Sequence, residues 1–418
     1  MTPIGNIVKL RKEKVDKKKM AFEELTPISI HFDGSITKRV IKGDKKYTMD
    51  MFYAYPGDIV VSKIDLKNGA LGIVPDGWEH VAVTNHFAVY EPIKELLLPE
   101  YLFLLIQTPT MKRYLWNNKV GAEGRKEVKL DFFKSIEIPV PNINRQNELV
   151  QKWGKSVEKI AEMEKSIQSQ AILSERKILD LIGIKLIDPK PRKGAFSVAW
   201  NNLNRWDTFY FREDFIELSN SIKNLKNDYL GNLINFTTRP WAENDFSEDT
   251  FKYIEISAVN KIEGIIGYRE IEKKKPPSRA TTLIKTGDIM ISTTRPYLGA
   301  FTVVPAEYDN CVCSSGFSIA DDYDKSRINK DFLMFFLKSH AGLRQMEQRM
   351  TGGLYPAITQ DELEKIIVPL PDLDLQVEII KNLGKEQMCI AKAKEELLLL
   401  KEYQRSITEA FINELSKE

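Results

Sequence analysis

The stretch Pro56 to Ile64, PGDIVVSKI, returns as TGDIMISTT at Thr286 to Thr294. A chain that repeats itself in this way must build one architecture twice. The shared glycines stand 287 − 57 = 230 residues apart, and the same step carries Asp58 to Asp288, Ser62 to Ser292, Gly69 to Gly299, Ala70 to Ala300 and Pro75 to Pro305. It also carries FFKSIEIPVPNINRQNELV onto ELEKIIVPLPDLDLQVEII, placing Pro139 on Pro369, Pro141 on Pro371 and Gln146 on Gln376. Register holds without a gap across about ninety residues, which identifies an internal duplication.

The copies are unequal where they begin. IGNIVKL from Ile4 matches LGNLINF from Leu230 at a step of 226, so a few residues of loop separate the two registers. FSVAWNNLNRWDTFYFREDFIELSNSIKN precedes the second copy and has no counterpart before the first.

Each copy reads as a mixed domain followed by a long helix. DIVVSKI, HVAVTNHFAVYE, TFKYIEISAV and AFTVVP are β-rich runs bounded by Gly, Pro and Asp turns. PEYLFLLIQTPTMKRYLW and KDFLMFFLKSHAGLRQME carry helical periodicity. The prolines of IPVP and VPLP remove backbone donors and predict extended connectors. Beyond each connector apolar residues recur at spacings of three, four and seven. They are Leu149, Trp153, Val157, Ile160, Ile167 and Ile178 in the first copy, and Leu383, Ile390, Leu397, Leu400, Ile407 and Phe411 in the second. From Gln376 to Glu414 such a helix is roughly 58 Å long. One apolar stripe needs a partner, and the other helix is of matching length. The expected architecture is α+β: two globular domains, each a mixed sheet or barrel with helices, and two long antiparallel coiled-coil helices in a pseudo-twofold arrangement. The expected divisions are 1–141, 142–190, 191–371 and 372–418.

No apolar run approaches the roughly 18 residues of a membrane span, and the amino terminus lacks a signal-peptide core. A soluble, cytoplasmic protein with no membrane partner is expected. Cys311, Cys313 and Cys389 form neither a disulfide framework nor a zinc pattern, and are expected as reduced thiols, Cys389 buried or half-buried in its helix. Lys+Arg 61 against Asp+Glu 59 leaves a net charge of +2, so binding to a polyanion would need local patches. One such patch is KLRKEKVDKKK, from Lys9, which fits a solvated face and a phosphate-holding edge equally.

Catalytic signatures are missing. There is no phosphate-binding GxxxxGK[ST], no GxGxxG and no Asp/Asn-Pro-Pro-Tyr/Phe. Pro75-Asp76 with Glu127-Val128-Lys129 looks like a nuclease metal site, but the second copy has Pro305-Ala306 and Ala357-Ile358-Thr359 there. His31, His80, His86 and His340 show no metal spacing.

Two variable domains, each closed by an IPxP-type connector, a nearby Gln and a long helix, resemble the DNA specificity subunit of Type I restriction-modification systems. The resemblance covers essentially the whole chain and rests on the duplicated GDIVVSKI/GDIMISTT and IPVPNINRQNELV/VPLPDLDLQVEII pairs. It implies a non-catalytic protein whose globular domains each read one half of a split, asymmetric site in double-stranded DNA. It implies helices that set the gap and dock two methyltransferase subunits, joined by restriction subunits. It implies no cofactor of the chain's own, S-adenosylmethionine and ATP with Mg belonging to those partners. Against the family pattern, the first copy starts almost on its first strand, as a permuted or a shortened copy would. A fused nuclease or methyltransferase and a protein-binding scaffold are the competing classes; the first needs catalytic motifs, the second predicts no sequence-dependent DNA protection.

Sequence reading requires donors on exposed loops. In the first copy these are Lys63, Lys67 and Asn68, with Asn117, Asn118, Lys119, Arg125 and Lys126. In the second they are Thr294, Arg295 and Tyr297, with Arg349, Thr351 and Tyr355, and with Arg239 and Trp241 from TTRPWAEN. Any one of them alone fits a solvated surface position equally well.

Overall fold

The structure is a computed structural model describing residues 1–39, 49–121, 126–187, 197–200, 203 and 205–417. In chain order its α-helices are α1 (Pro99–Gln107), α2 (Pro109–Asn117), α3 (Leu130–Ser135), α4 (Ile143–Ile182), α5 (Glu213–Lys223), α6 (Lys330–Lys338), α7 (His340–Arg349), α8 (Gln360–Leu363) and α9 (Leu373–Leu415). They belong to two compact units, Met1–Ser166 with Ala393–Glu418, and Ile167–Lys392. Both α4 and α9 therefore contribute residues to each unit.

In the first unit a four-stranded antiparallel sheet runs Val8–Arg11, Phe87–Pro92, Ile59–Ser62, Leu71–Ile73. A second sheet runs Ile36–Lys38, Thr26–Ile30, Val81–Thr84, Met51–Tyr53, its central pair parallel. The second unit repeats both orders with Ile234–Thr237, Phe317–Tyr323, Ile289–Ser292, Phe301–Val303, and with Arg269–Glu272, Thr250–Ile254, Val312–Ser314, Ala280–Leu283.

Layering explains why the strands of the repeated GDIVVS and GDIMIS runs are buried at every position. Successive side chains of a strand face opposite ways. Ile59 and Val61 enter a core shared with α1, while Val60 enters one shared with the second sheet. Ile289 and Ile291 meet α6, while Met290 meets Ile254, Cys311 and Cys313. Burial pushes the two thiols up, Cys311 to about 11 and Cys313 to about 12, so both stay protonated at neutral pH. Cys389 is exposed, contrary to the expectation for a helix thiol.

The preceding glycine of each run turns with positive φ, +83° at Gly57 and +89° at Gly287. The aspartate after it is buried and takes a guanidinium. Arg11 Nε lies 2.8 Å from Asp58, and Arg239 Nη1 lies 2.6 Å from Asp288. Beside these carboxylates both arginines bind their protons more tightly than usual.

The connectors are extended, as expected. Glu137–Ile138 pairs with Thr2–Pro3, and Ile367–Pro369 with Asn227–Tyr229. The glutamine after each connector is fully buried. Gln146 accepts from Leu98 N at 2.9 Å and donates to Leu96 and Pro141 carbonyls; Gln376 accepts from Asn329 N at 2.7 Å and donates to Arg327 and Pro371 carbonyls. Each glutamine thus ties connector and long helix to the loop before the domain's own helix pair.

The long helices meet in each unit, running antiparallel in the first. In the first unit the Arg145 guanidinium stacks on Phe411, and Glu164 pairs with Lys401 at 2.7 Å. In the second, Ser174 donates to Glu386 at 3.0 Å. Leu149, Ile407 and Phe411 enter the first unit's core beside Trp153, while Ile178 enters the second unit's core beside Leu383. Ile160, Ile167, Ile390, Leu397 and Leu400 are half-buried. Val157 departs from the expected stripe: it is 45% exposed, and Ser156 is buried one position earlier. From Trp153 the inward face steps by three and then four, through Ser156 to Ile160.

The lead-in to the second copy forms α5, whose Phe215, Leu218 and Ile222 are buried. Its Asp214, also buried, joins Arg212 and Arg344.

Candidate nucleic-acid interface

In the second unit two loops are sewn together. Thr351 and Ala357 exchange backbone hydrogen bonds of 2.7 and 2.8 Å, closing a hairpin over 352–356. Ile358 N donates to Thr293 O at 2.9 Å and Arg295 N to Pro356 O at 2.8 Å, while Thr294 bridges Ala357. These bonds bring Thr294, Arg295, Thr351 and Tyr355 together. Arg295 has φ 47°, and its guanidinium lies over the Tyr355 ring at 5.3 Å. Tyr297 is exposed on the following turn.

The first unit uses the same stitch. Val128 N donates to Lys63 O at 3.0 Å, matching Ile358 to Thr293, and Val120 bridges Glu127. Lys67 Nζ donates to Lys126 O at 2.7 Å and also reaches Ile64 O; Lys63 Nζ donates to Asn85 O. Lys119 lies over Trp116 at 3.3 Å. Its ammonium loses its proton more readily than usual, first through desolvation and then through the charges of Lys126 and Lys67. Lys67 is thus tied to the backbone of Lys126, and the charges of both are felt at Lys119. Asn68 closes the turn over Asp65, Asn118 ends α2 with its amide on Tyr114 O, and Asn117 is exposed. Arg125 lies outside the described residues.

In the second unit three further expected contacts are likewise engaged inside the unit. Arg239 is held by Asp288, with Asp321 at 3.4 Å. Trp241 donates its indole N–H to Ala280 O and packs on Phe246 and Phe251. Arg349 pairs with Glu362 at 3.0 Å and leans on Tyr210. Each engages its functional group in packing or pairing within the unit. In KLRKEKVDKKK, Arg11 is bound to Asp58, and Lys14 and Lys17 meet Asp50.

Among the described residues no group of His, Cys, Asp and Glu could hold a metal ion, and no helix is long and apolar enough to cross a membrane.

The sequence model of the Type I restriction modification DNA specificity domain matches residues 1–170 and again residues 208–398. The chain belongs to this family. Over 109 residues it is 29% identical to the Type I restriction enzyme HindI specificity subunit of Haemophilus influenzae, covering 26% of this chain and 24% of that protein. Over 138 residues it is 26% identical to the EcoAI specificity subunit of Escherichia coli, covering 32% and 23%. The matched stretches thus span less than two thirds of these curated relatives. A chain from a structure of type I R-M complex assembly and conformational transition shares the fold with TM-score 0.64 at 17% identity, 98% and 96% of the two chains being covered. The HsdS subunit from Thermoanaerobacter tengcongensis shares it with TM-score 0.51 at 16% identity, over 98% and 95%.

Two residues outside the expected set stand at these loops, Lys112 and Leu354. Lys112 reaches across Gly69, where an added Cβ would come within 2.5 Å of its Cε. It lies on α2, outside the exposed loops. Leu354 carries no polar group and so gave no donor signal.

Proposed function

We propose that the chain is a non-catalytic, sequence-specific DNA-binding subunit of a Type I restriction-modification complex. Residues 1–141 and 191–371 each read one half of a split, asymmetric duplex site. The helical segments 142–190 and 372–418 set the gap and dock two methyltransferase subunits. Methyl transfer from S-adenosylmethionine and ATP-driven cleavage with Mg belong to those subunits and to the restriction subunits.

One observation carries this reading. A chain of the DNA specificity family builds the same pair of sheets twice, and each copy sews two loops together at matching positions with different outward chemistry. Lys67, Lys119 and Lys126 gather in one; Arg295 and Tyr355 gather in the other. Identical scaffolds with different loop chemistry suit two readers of different half-sites.

The test is to co-express the chain with its methyltransferase subunit and map methylated adenines across plasmid DNA by single-molecule sequencing. A split motif with a fixed gap is expected. A complex that assembles and binds S-adenosylmethionine yet methylates no split motif overturns the reading.

A further inference from the structure

We infer that Leu354, at the tip of the 352–356 hairpin, reads the C5-methyl group of a thymine in the half-site of the second domain, with Arg295 as the residue that positions it. The inference rests on the bipartite DNA reading proposed above.

Leu354 is 87% exposed and Tyr355 beside it 74%. Single exposed apolar residues are ordinary on a surface. Here the two are consecutive, and on the adjoining turn Leu298 is 55% and Tyr297 39% exposed. Four large apolar side chains thus project from two loops that the backbone has joined.

The tip is also held in place. The Thr351–Ala357 bond pair closes its base, Arg295 N fastens Pro356 O, and Arg295 Nη2 reaches Leu354 O at 3.4 Å. Gly352 turns the chain with φ 97°. Arg295 adopts a left-handed conformation that is unfavourable for a side chain of its kind. Its guanidinium covers one face of Tyr355. With its donors aimed back at the hairpin, Arg295 serves the tip as a brace.

Leucine offers a base only apolar contact. On the edges that bases present in the major groove, the one apolar group is the thymine methyl. In the first copy the positions 230 residues earlier are Gly124 and Arg125, so the Leu-Tyr pair is particular to the sequence of the second copy. Such a difference is what separate half-sites require.

The experiment uses the full chain in complex with its methyltransferase subunits, on duplexes carrying the mapped methylation motif. Each thymine of both half-sites is replaced in turn by deoxyuridine, which pairs identically and lacks only the methyl group, and affinity is read by fluorescence anisotropy. At one or more positions in a single half, wild type is expected to weaken roughly fourfold per methyl lost. Leu354→Ala should be indifferent to those same replacements while keeping its responses in the other half. Arg295→Ala should lose the same methyl sensitivity; loss of discrimination at a G·C pair instead would make Arg295 a base reader and overturn its positioning role. Wild type indifferent to every replacement in both halves overturns the inference, as does Leu354→Ala retaining full sensitivity. A DNA bend that Leu354→Ala abolishes without any methyl dependence overturns it in favour of an inserted wedge. In all these outcomes a mapped split motif leaves the bipartite reading intact, whereas absence of that motif is failure of the bipartite reading itself.

Discussion

Replacing Asp288 by Ala should destabilise the second unit without retargeting the protein. Asp288 is 3% exposed. It accepts from Arg239 Nη1 at 2.6 Å, Arg239 Nη2 at 2.8 Å and Lys285 N at 2.8 Å. Removing one member of a buried pair costs about 3–5 kcal/mol, because the other charge is left behind. Here the Arg239 side chain is 22% exposed and keeps Asp321 at 3.4 Å, which lowers the expectation to about 2–3 kcal/mol. At about 2–4 °C per kcal/mol for a unit of this size, Tm should fall by about 4–12 °C. Scanning calorimetry of wild type, Asp288→Ala, Arg239→Ala and the double variant measures it, and the double variant should lose less than the two single losses added together. The methylation motif should be unchanged in all four. If Arg239→Ala melts within about 1 °C of wild type while relaxing one half of the motif, Arg239 is a base reader and the pairing argument fails.

Gln376→Ala should cost about 2–4 kcal/mol, since it orphans Asn329 N and the Arg327 and Pro371 carbonyls beneath a fully buried side chain; Gln146→Ala should cost the first unit a similar amount, both read from urea midpoints. Lys119→Ala, at a site where Lys67 and Lys126 add to the positive field, should weaken binding to all duplexes alike and reduce the slope of log K against log salt by about one; an unchanged slope in anisotropy titrations would remove Lys119 from the phosphate-contacting set.

Much of this fold was legible because the chain contains its own comparison. A constant step of 230 aligns GD turns, connectors and glutamines, and in both copies these residues perform the same work. The inward face of α4 was harder to see because polar residues occupy it: Ser156 and Ser174 are buried there, so an apolar count moved Val157 onto the stripe. Arg239 looked like a free donor because its partner lies 49 residues along the chain. The strand register that carries Val8 to Ile234 would carry Arg11 to Thr237, so a two-residue slip concealed the equivalence of the two arginines. Trp241 sits among aromatic rings supplied by Phe246 and Phe251, a contact that only the folded sheet creates. Arg349 is taken by Glu362 from the start of α8, thirteen residues on. Loop membership was readable, whereas the commitment of each side chain depended on tertiary partners.

The central claim is that each copy reads its own half of one DNA site. Its most direct test replaces residues 191–371 with the corresponding segment of another specificity subunit and maps methylation by the resulting complex beside that of wild type. One half of the motif should change while the other half and the gap stay as they were. Both halves changing together, or neither changing in a complex that still methylates, would contradict the claim.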